Sequence, residues 1–564
     1  MIHRLIHSKY FLYLYSLFLF VGIITATAYI WNVFYWNDEW RSVADVLVFG
    51  VNAISYRGKM VSFVPYQIWE LLIQGRLLGA FIFNRLIAIS MYKPYPIIGA
   101  VILGHAINSI LIYSILKRLT KHTIFSVLAS FFFALSSIQQ ENFLWIGAGF
   151  YNVWSMTAAL FSVIILQNLM KSISLYWVVF TLLSAFLAYE LKENCAFLFL
   201  YIPAYIFIFH EKNKQRHAKR YIGAGIILVI LLGILSYSHQ SQIANMLGGF
   251  HRATIQKIGL NLLYYPAANF SQFFIPYDWI MAFRTWLNVF PQDSITPVTF
   301  LLGINSNLFY FDCLSLCFCV FVLFLLYRIF QTYPNFRKII LIGLVWYVFS
   351  MSPLAVRLVA RYNGYLTYSY LYHPMFSASI FFACIMVYFI DRMRKKISFP
   401  IIQIGICCYL VLHILISYRT AQSVGEFYKK SKDFISLFQS FSASVPKKPI
   451  IFITSPTSYS LNTASTRLPF MLGSGFIVSI LLYPTGVIPP EFLVERFLEP
   501  FDSQGYKESG DKGYGFFWNF EDLVREFAKN RTLSLDQVIA FEYSADGKNL
   551  KDITALVRKE LQKY

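Results

Sequence analysis

Long apolar runs separated by short, mostly basic breaks organise this chain from Tyr10 to Tyr418. The runs are roughly 15 to 22 residues long, the length an α-helix needs to cross the hydrocarbon core of a bilayer. About eleven spans can be drawn, near 10–30, 97–116, 123–138, 150–169, 174–189, 195–210, 221–238, 308–327, 339–355, 368–390 and 400–418. Two intervening stretches, 31–96 and 239–307, are too long for turns. In the first, Met60–Leu72 and Leu77–Met91 read as helices with aromatics and isolated arginines (Arg76, Arg85), as in helices that lie along a membrane interface. The second is rich in aromatics, Asn and Pro and could skirt the membrane in the same way. Past residue 420 the pattern changes. Pro449–Thr454 is a strand run, and Phe520–Lys529 and Leu550–Lys563 are helical. The expected fold is an all-α polytopic membrane domain over 1–420 with a small C-terminal α/β domain over 421–564.

Composition agrees with a membrane class. Of 564 residues, 57% are hydrophobic and 13% charged, whereas a soluble chain carries about a quarter charged residues. The net charge of +20 would suit nucleic acid if it lay on one face. Instead, residues 421–564 hold 17 basic and 16 acidic side chains, and the first 420 hold the other 31 and 12. The excess therefore lies between spans, where it sets topology, and nucleic acid is not an expected partner. The seven cysteines all fall in or beside apolar segments, so neither a disulfide framework nor a loop zinc motif is present. Cys313, Cys317 and Cys319 share a predicted span and read as small hydrophobes. Ala26-Thr27-Ala28 has a cleavage-site pattern, but the run before it is long enough to span and many spans follow.

Arg4 and Lys9 place the amino terminus inside. The groups at Lys117-Arg118 with Lys121, Lys212 to Arg220, Arg337-Lys338 and Arg392 to Lys396 stay inside on the same path. An odd number of spans then puts the 421–564 domain outside, the expected setting being a bacterial cytoplasmic membrane. Of the 12 acids in the membrane portion, only Glu211 and Asp391 fall inside. The other ten fall outside: Asp38, Glu39, Asp45, Glu70, Glu141, Glu190, Glu193, Asp278, Asp293 and Asp312. Acids have little say in topology, and several of these are embedded in apolar sequence, which points to an acid-rich outer cavity.

Asp38-Glu39, in Trp36-Asn37-Asp38-Glu39-Trp40, opens the first outer segment directly after a span. Ionisable groups so placed are costly unless they act there. Transfer of a sugar to a hydroxyl needs a carboxylate to take the acceptor proton and cations to hold the leaving phosphate. Outside the cytoplasm nucleotide sugars are not at hand, so a sugar carried on a lipid phosphate is the natural donor. Asp38, Glu39 and Glu141 could also hold a divalent cation, although no spacing rule requires one.

These residues carry a resemblance to the membrane glycosyltransferase superfamily with the GT-C fold, in the style of protein O-mannosyltransferases and bacterial enzymes that use polyprenyl-phosphate sugars. The first outer acid motif of that superfamily is similar to Asp38-Glu39. A helix of the form N-x-x-L-L-Y before basic residues resembles Asn108–Tyr113 before Lys117-Arg118. An acid followed by W-I-G resembles Glu141 with Trp145-Ile146-Gly147, and a short K-E motif resembles Lys192-Glu193. Together they cover roughly residues 35–200. Later, R-Y-L-Y-x-P is matched by Ser369-Tyr370-Leu371-Tyr372-His373-Pro374, with serine in place of the arginine, while Arg357 and Arg361 lie just upstream. Gly75-Arg76 resembles a further element of some members.

The resemblance implies an inverting glycosyltransferase, with Asp38 as the base, Glu39 and Glu141 as supporting acids, and Lys192, Arg357 and Arg361 at the donor phosphate. The expected partners are a polyprenyl-phosphate-linked sugar, membrane lipids and an outer acceptor that is a cell-envelope glycan or lipid rather than a protein. The alternative is a transporter or flippase for a lipid-linked glycan. It would be expected to show inverted repeats, which are not evident. His105, on an apolar helix, reads as a packed core residue.

Overall fold

A computed structural model describes residues 11–35, 77–90, 93–171, 174–209, 306–357, 368–393, 399–441, 448–454, 504–544 and 548–564. It also describes shorter stretches within 39–61 and 262–279 and around 477–482. The helices are α1 (Phe11–Ala26), α2 (Leu77–Ser90), α3 (Tyr95–Thr120), α4 (Thr123–Leu135), α5 (Gln140–Leu144), α6 (Ile146–Lys171), α7 (Leu175–Leu191), α8 (Leu198–Phe209), α9 (Ser306–Thr332), α10 (Pro334–Arg357), α11 (Met375–Met393) and α12 (Phe399–Phe441). Ten of the eleven predicted spans fall on these helices, and the one near 221–238 lies outside the described residues, as does most of 239–307. Among the described residues, six helices are long and apolar enough to cross a membrane, or up to seven if the bent pair α4 and 137–144 is one span. The chain is a multi-pass membrane protein.

Two compact units divide the chain. The first comprises Met1–Ala28, Trp69–Gly79 and Gly99–Ala421, and the second Tyr29–Ile68, Ala80–Ile98 and Gln422–Tyr564. The first unit is the helical bundle. α6 packs along α7, α11 lies between α4 and α10, and α10 also meets α8. Phe132 of α4 stacks on Phe382 of α11 at 4.1 Å, and Trp346 of α10 is enclosed by Phe197, Tyr201 and Phe376. Lipid offers no hydrophobic drive between helices, so close packing and interhelical hydrogen bonds hold such bundles. Asn108 of α3 supplies one, donating to the Val153 carbonyl of α6 at 2.9 Å. The outward rows of α9 (Val320, Phe321, Phe324) and α12 (Ile401, Ile404, Leu415) are exposed apolar side chains, as a lipid-facing surface requires.

The second unit contains a five-stranded sheet. Its strands are β3 (Ile450–Thr454), β4 (Gly505–Ser509), β5 (Lys512–Phe517), β6 (Val538–Tyr543) and β7 (Leu550–Asp552), in the order β4-β5-β3-β6-β7. Two further strands, β1 (Ile54–Tyr56) and β2 (Lys59–Val61), pair antiparallel with each other, with Ser55 opposite Met60. β3 runs parallel to both β5 and β6, while the outer strands are antiparallel to their neighbours. Consecutive residues of β3 are buried on both faces, the pattern of a covered central strand. Helices α13 (Phe520–Lys529) and α14 (Thr554–Leu561) supply Leu523, Val557 and Leu561 to the core around Ile450 and Phe452.

Three sequence expectations need correction. Met60 and Val61 lie in a strand, not at the start of a helix over Met60–Leu72, because they pair with Ser55 and Ile54, and the rest of that stretch lies outside the described residues. Leu550–Lys563 is not one helix. Leu550 pairs with Tyr543, and the Asp552 carboxylate accepts the Thr554 amide at 2.8 Å, so the helix begins only there. The span near 400–418 continues to Phe441, because Tyr428, Ser431, Phe434, Ile435 and Phe438 keep a buried helical stripe through its polar end.

Candidate functional site

Three connections gather at one end of the helical bundle. The first is the turn Ser137–Gln139 with α5, between α4 and α6. The second is the turn Glu193–Phe197, between α7 and α8, and the third is Tyr368–Leu371 with Tyr372 and His373, before α11. α5 packs on α6 and on the Tyr368–Leu371 turn, while the Glu193–Phe197 turn packs on α6, α8 and α10. Glu141 lies on α5, Lys192-Glu193 sit in the second connection, and Arg357 ends α10. Glu141 and Lys192 thus belong to connections that both pack on α6, and the Lys192 turn also packs on α10, which Arg357 ends.

Local chemistry shapes the Lys192 turn. The Lys192 amide closes α7 onto the Ala188 carbonyl at 3.0 Å, its backbone then turns extended, and its carbonyl accepts the Cys195 amide at 2.9 Å. Glu193 follows in the first turn leading to α8, where the positive end of the helix favours an acid. The Lys192 side chain is only 7% exposed, and its ammonium lies 6.0 Å from the centre of the Tyr151 ring. Glu190, two residues earlier, is 3% exposed. Gly79, at the start of α2, approaches this corner so closely that a Cβ would come within 2.8 Å of both the Leu191 carbonyl and the Tyr151 ring. The start of α2 therefore meets the end of α7 at a position that only glycine fits.

A buried polar network holds the third connection. The Tyr372 hydroxyl lies 2.9 Å from His105 Nδ1 and accepts from Asn108 Nδ2 at 3.1 Å, and the other His105 nitrogen meets the Ala134 carbonyl at 3.1 Å. Thr157 donates to Asn108 Oδ1 at 2.7 Å. His373 Nε2 lies 2.9 Å from Ser155 Oγ and 3.2 Å from Cys195 Sγ, and its carbonyl accepts from the Trp346 indole at 2.8 Å. Lys192 and Glu193 are both within electrostatic reach of the His373 ring. His105 is a packed core residue, as expected, anchored through Nε2 on the Ala134 carbonyl while Nδ1 holds the Tyr372 hydroxyl.

The first acid motif belongs to the second unit. Glu39 is 2% exposed and lies against Tyr35, whose hydroxyl is raised by burial and then by the Glu39 carboxylate, with a Ser90 hydrogen bond opposing. Trp40 is buried against Phe34 and Tyr35, with ring centres 5.6 and 5.7 Å away. Asp38 and Arg361 lie outside the described residues, as do Gly75 and Arg76. Among the described residues no group of three or more His, Cys, Asp and Glu side chains converges as a metal ion needs. Sequence reasoning did not single out Glu190 as a site residue, nor His373. The signal for Glu190 was its place two residues before Lys192 at the end of an apolar run. His373 stood inside the Tyr-His-Pro sequence and was passed over because the motif is defined by the tyrosines and proline around it.

No family model matches the chain, and no curated protein matches it by sequence. Several solved structures are similar in shape. The oligosaccharyltransferase of Archaeoglobus fulgidus in its apo form is 12% identical, with a TM-score of 0.42, over 79% of this chain and 62% of its own. The oligosaccharyltransferase AglB of the same organism, in complex with an inhibitory peptide and a dolichol-phosphate, is 12% identical, with a TM-score of 0.45, over 84% and 64%. ArnT from Cupriavidus metallidurans, bound to undecaprenyl phosphate, is 11% identical, with a TM-score of 0.39, over 86% and 90%. These are GT-C fold glycosyltransferases, the superfamily whose motifs the sequence resembles. The chain spans less than two thirds of the archaeal proteins' length. With every TM-score below 0.5, the likenesses carry no weight on chemistry, which rests on this chain's own residues.

Proposed function

We propose that this chain is an integral-membrane glycosyltransferase of the GT-C kind. It would transfer a sugar from a polyprenyl phosphate to a hydroxyl of an outer acceptor, a cell-envelope glycan or lipid. One observation carries the reading. A buried lysine, Lys192, sits at the end of an apolar helix two residues after the buried Glu190, and the turn that follows it packs on α6, which α5 with Glu141 also meets, and on α10, which Arg357 ends. A cation so withdrawn from water is suited to a phosphate that arrives through the bilayer, because a dry site strengthens the attraction.

In the proposed reaction Asp38 takes the acceptor hydroxyl proton as the acceptor oxygen bonds to the anomeric carbon. The bond from that carbon to the phosphate oxygen breaks on the opposite side, so the configuration inverts. Lys192, with Arg357 and Arg361, holds the departing polyprenyl phosphate. Glu39 and Glu141 support the base.

The test is transfer from labelled polyprenyl-phosphate sugar by the purified chain. Asp38→Asn is expected to lower turnover about 10²- to 10⁴-fold, the contribution of a positioned base, with donor binding retained. Lys192→Gln is expected to weaken donor binding. Full activity in both variants would remove the assignment.

A further inference from the structure

Segment 136–142, which joins α4 to α6, is tied to its surroundings at several points. The Ser136 amide donates to the Phe132 carbonyl at 3.1 Å. The Ser137 amide and hydroxyl both meet His413 Nδ1 at 3.2 Å, and Gln140 donates to the Ser417 carbonyl. Asn152 donates to Asn142 Oδ1 at 2.8 Å. Gly149 passes beneath the Asn142 carbonyl, where a Cβ would fall 1.6 Å from the oxygen.

Even so, among the described residues five buried polar atoms here have no hydrogen-bond partner: Ser136 Oγ, both amide atoms of Gln139, Asn142 Nδ2 and His413 Nε2. Each of the four residues is at most 2% exposed. Buried polar atoms in folded proteins are nearly always bonded. Single exceptions occur by chance, but five atoms on seven consecutive residues and the ring docked against them call for a cause. Natural chains tolerate such groups where function uses them.

The chemistry of the set is specific. Gln139 offers a donor and an acceptor, Asn142 a donor, Ser136 either, and His413 a ring nitrogen of either kind. All are neutral groups, and together they suit a molecule dense in hydroxyls, each of which both gives and receives a hydrogen bond. α5, which carries Glu141, includes Asn142 itself.

We infer that segment 136–142 and His413 form the recognition site for the hydroxyls of the transferred sugar, with Gln139 its main specificity-determining residue. This rests on the glycosyltransferase reading. The atoms are enclosed in the structure, so binding turns the Gln139 amide, neither atom of which is hydrogen-bonded, toward the sugar, while Asn142 and His413 stay held through Oδ1 and Nδ1.

The experiment measures melting of the full chain in nanodiscs, with undecaprenyl phosphate alone and with undecaprenyl phosphate carrying glucose, galactose or mannose. For the wild type, at least one hexose is expected to add a stabilising shift beyond that of the bare lipid. In Gln139→Leu and Gln139→Met the ligand-free melting temperature is expected to rise by about 1–3 °C, because a dry unpaired amide is replaced by apolar atoms. The bare-lipid shift should persist in both variants and the hexose increment should disappear, with donor KM raised about three- to tenfold, as for one lost hydrogen bond. Retention of the hexose increment in both variants would overturn the site, leaving ordered water as the occupant. A lower ligand-free melting temperature in both would also overturn it, since Gln139 would then be bonded within the protein. A wild type that responds to the bare lipid but to none of the hexoses would refute the site alone. A wild type that responds to no lipid would refute the glycosyltransferase reading, and the site with it.

Discussion

Gly149 shows how much of the arrangement can rest on one atom. A Cβ there would lie 1.6 Å from the Asn142 carbonyl, so α5 and the start of α6 can meet only because that position is bare. Gly149→Ala must push α5 aside, and a loss of about 3 kcal/mol in stability is expected, the upper part of the range for overpacked sites. Gly99→Ala is the control, since nothing lies within 4 Å of a Cβ there. Equal melting temperatures for the two variants would contradict the close contact. Lys192 makes a different point at the same scale. The K-E motif was legible in the sequence, as a phosphate contact or a buried ion pair between short helices. Its burial near Tyr151, which both readings share, depends on a ring contributed 41 positions earlier.

Among the elements, the turn from α3 to α4 is built from polar caps that the apolar pattern only bounds. Lys121 adopts a left-handed φ of 55°, and its amide donates to the Lys117 carbonyl at 2.9 Å, ending α3. His122 then caps α4 by accepting the Phe125 amide through Nδ1 at 3.1 Å, which requires the neutral ring. Its pKa is lowered by burial, with nearby Asp391 opposing and Lys117 adding to the effect. A lowered folded pKa means that the unfolded chain binds the proton more readily. The contribution to stability is therefore fully present above the ordinary histidine value of about 6.5 and is lost as pH falls through the folded pKa. Thermal melting from pH 7.5 down to 5 should show this loss, and His122→Asn, which can still cap, should flatten that part of the profile. An unchanged slope in the variant would rule His122 out as its source. α12 carries the other lesson at this scale. Hydropathy ended it near residue 418, whereas its buried stripe through Phe438 holds it helical to Phe441, and Phe434 and Phe438 then meet Tyr543 and Phe541 of β6.

At the scale of the whole molecule, basic connections alternate with acid-bearing ones along the bundle. Lys117, Arg118 and Lys121 flank the α3–α4 turn and Arg337 and Lys338 open α10, while Glu141 lies on α5 and Glu193 follows α7. The orientation expected from the charges puts the first set in the cytoplasm and the second outside. Reporter fusions after Lys121 and after Trp145 should therefore report opposite sides, the first cytoplasmic and the second external. The same side for both would mean that α4 and the segment after it do not cross.

Hydrophobic spacing alone determined that the chain is a multi-pass helical membrane protein, because in a bilayer every backbone polar group must be satisfied within its own helix and run length then reports directly on span. It also determined where β3 and α13 lie, since their periods and flanking residues agree with their burial. The acid pair, the K-E turn and the acid before Trp145 were visible as separate motifs. That the last two share one end of the bundle with Tyr372 and His373, and that Glu39 is buried near Tyr35, came only from the tertiary structure. Side chains separated by 50 to more than 200 residues were brought together by helix packing, and packing depends on volumes and close approaches that no period along the chain encodes. The β7 strand and the polar end of α12 escaped the sequence because partners outside their own period decided their conformation, nearby Tyr543 for one and the distant β6 for the other.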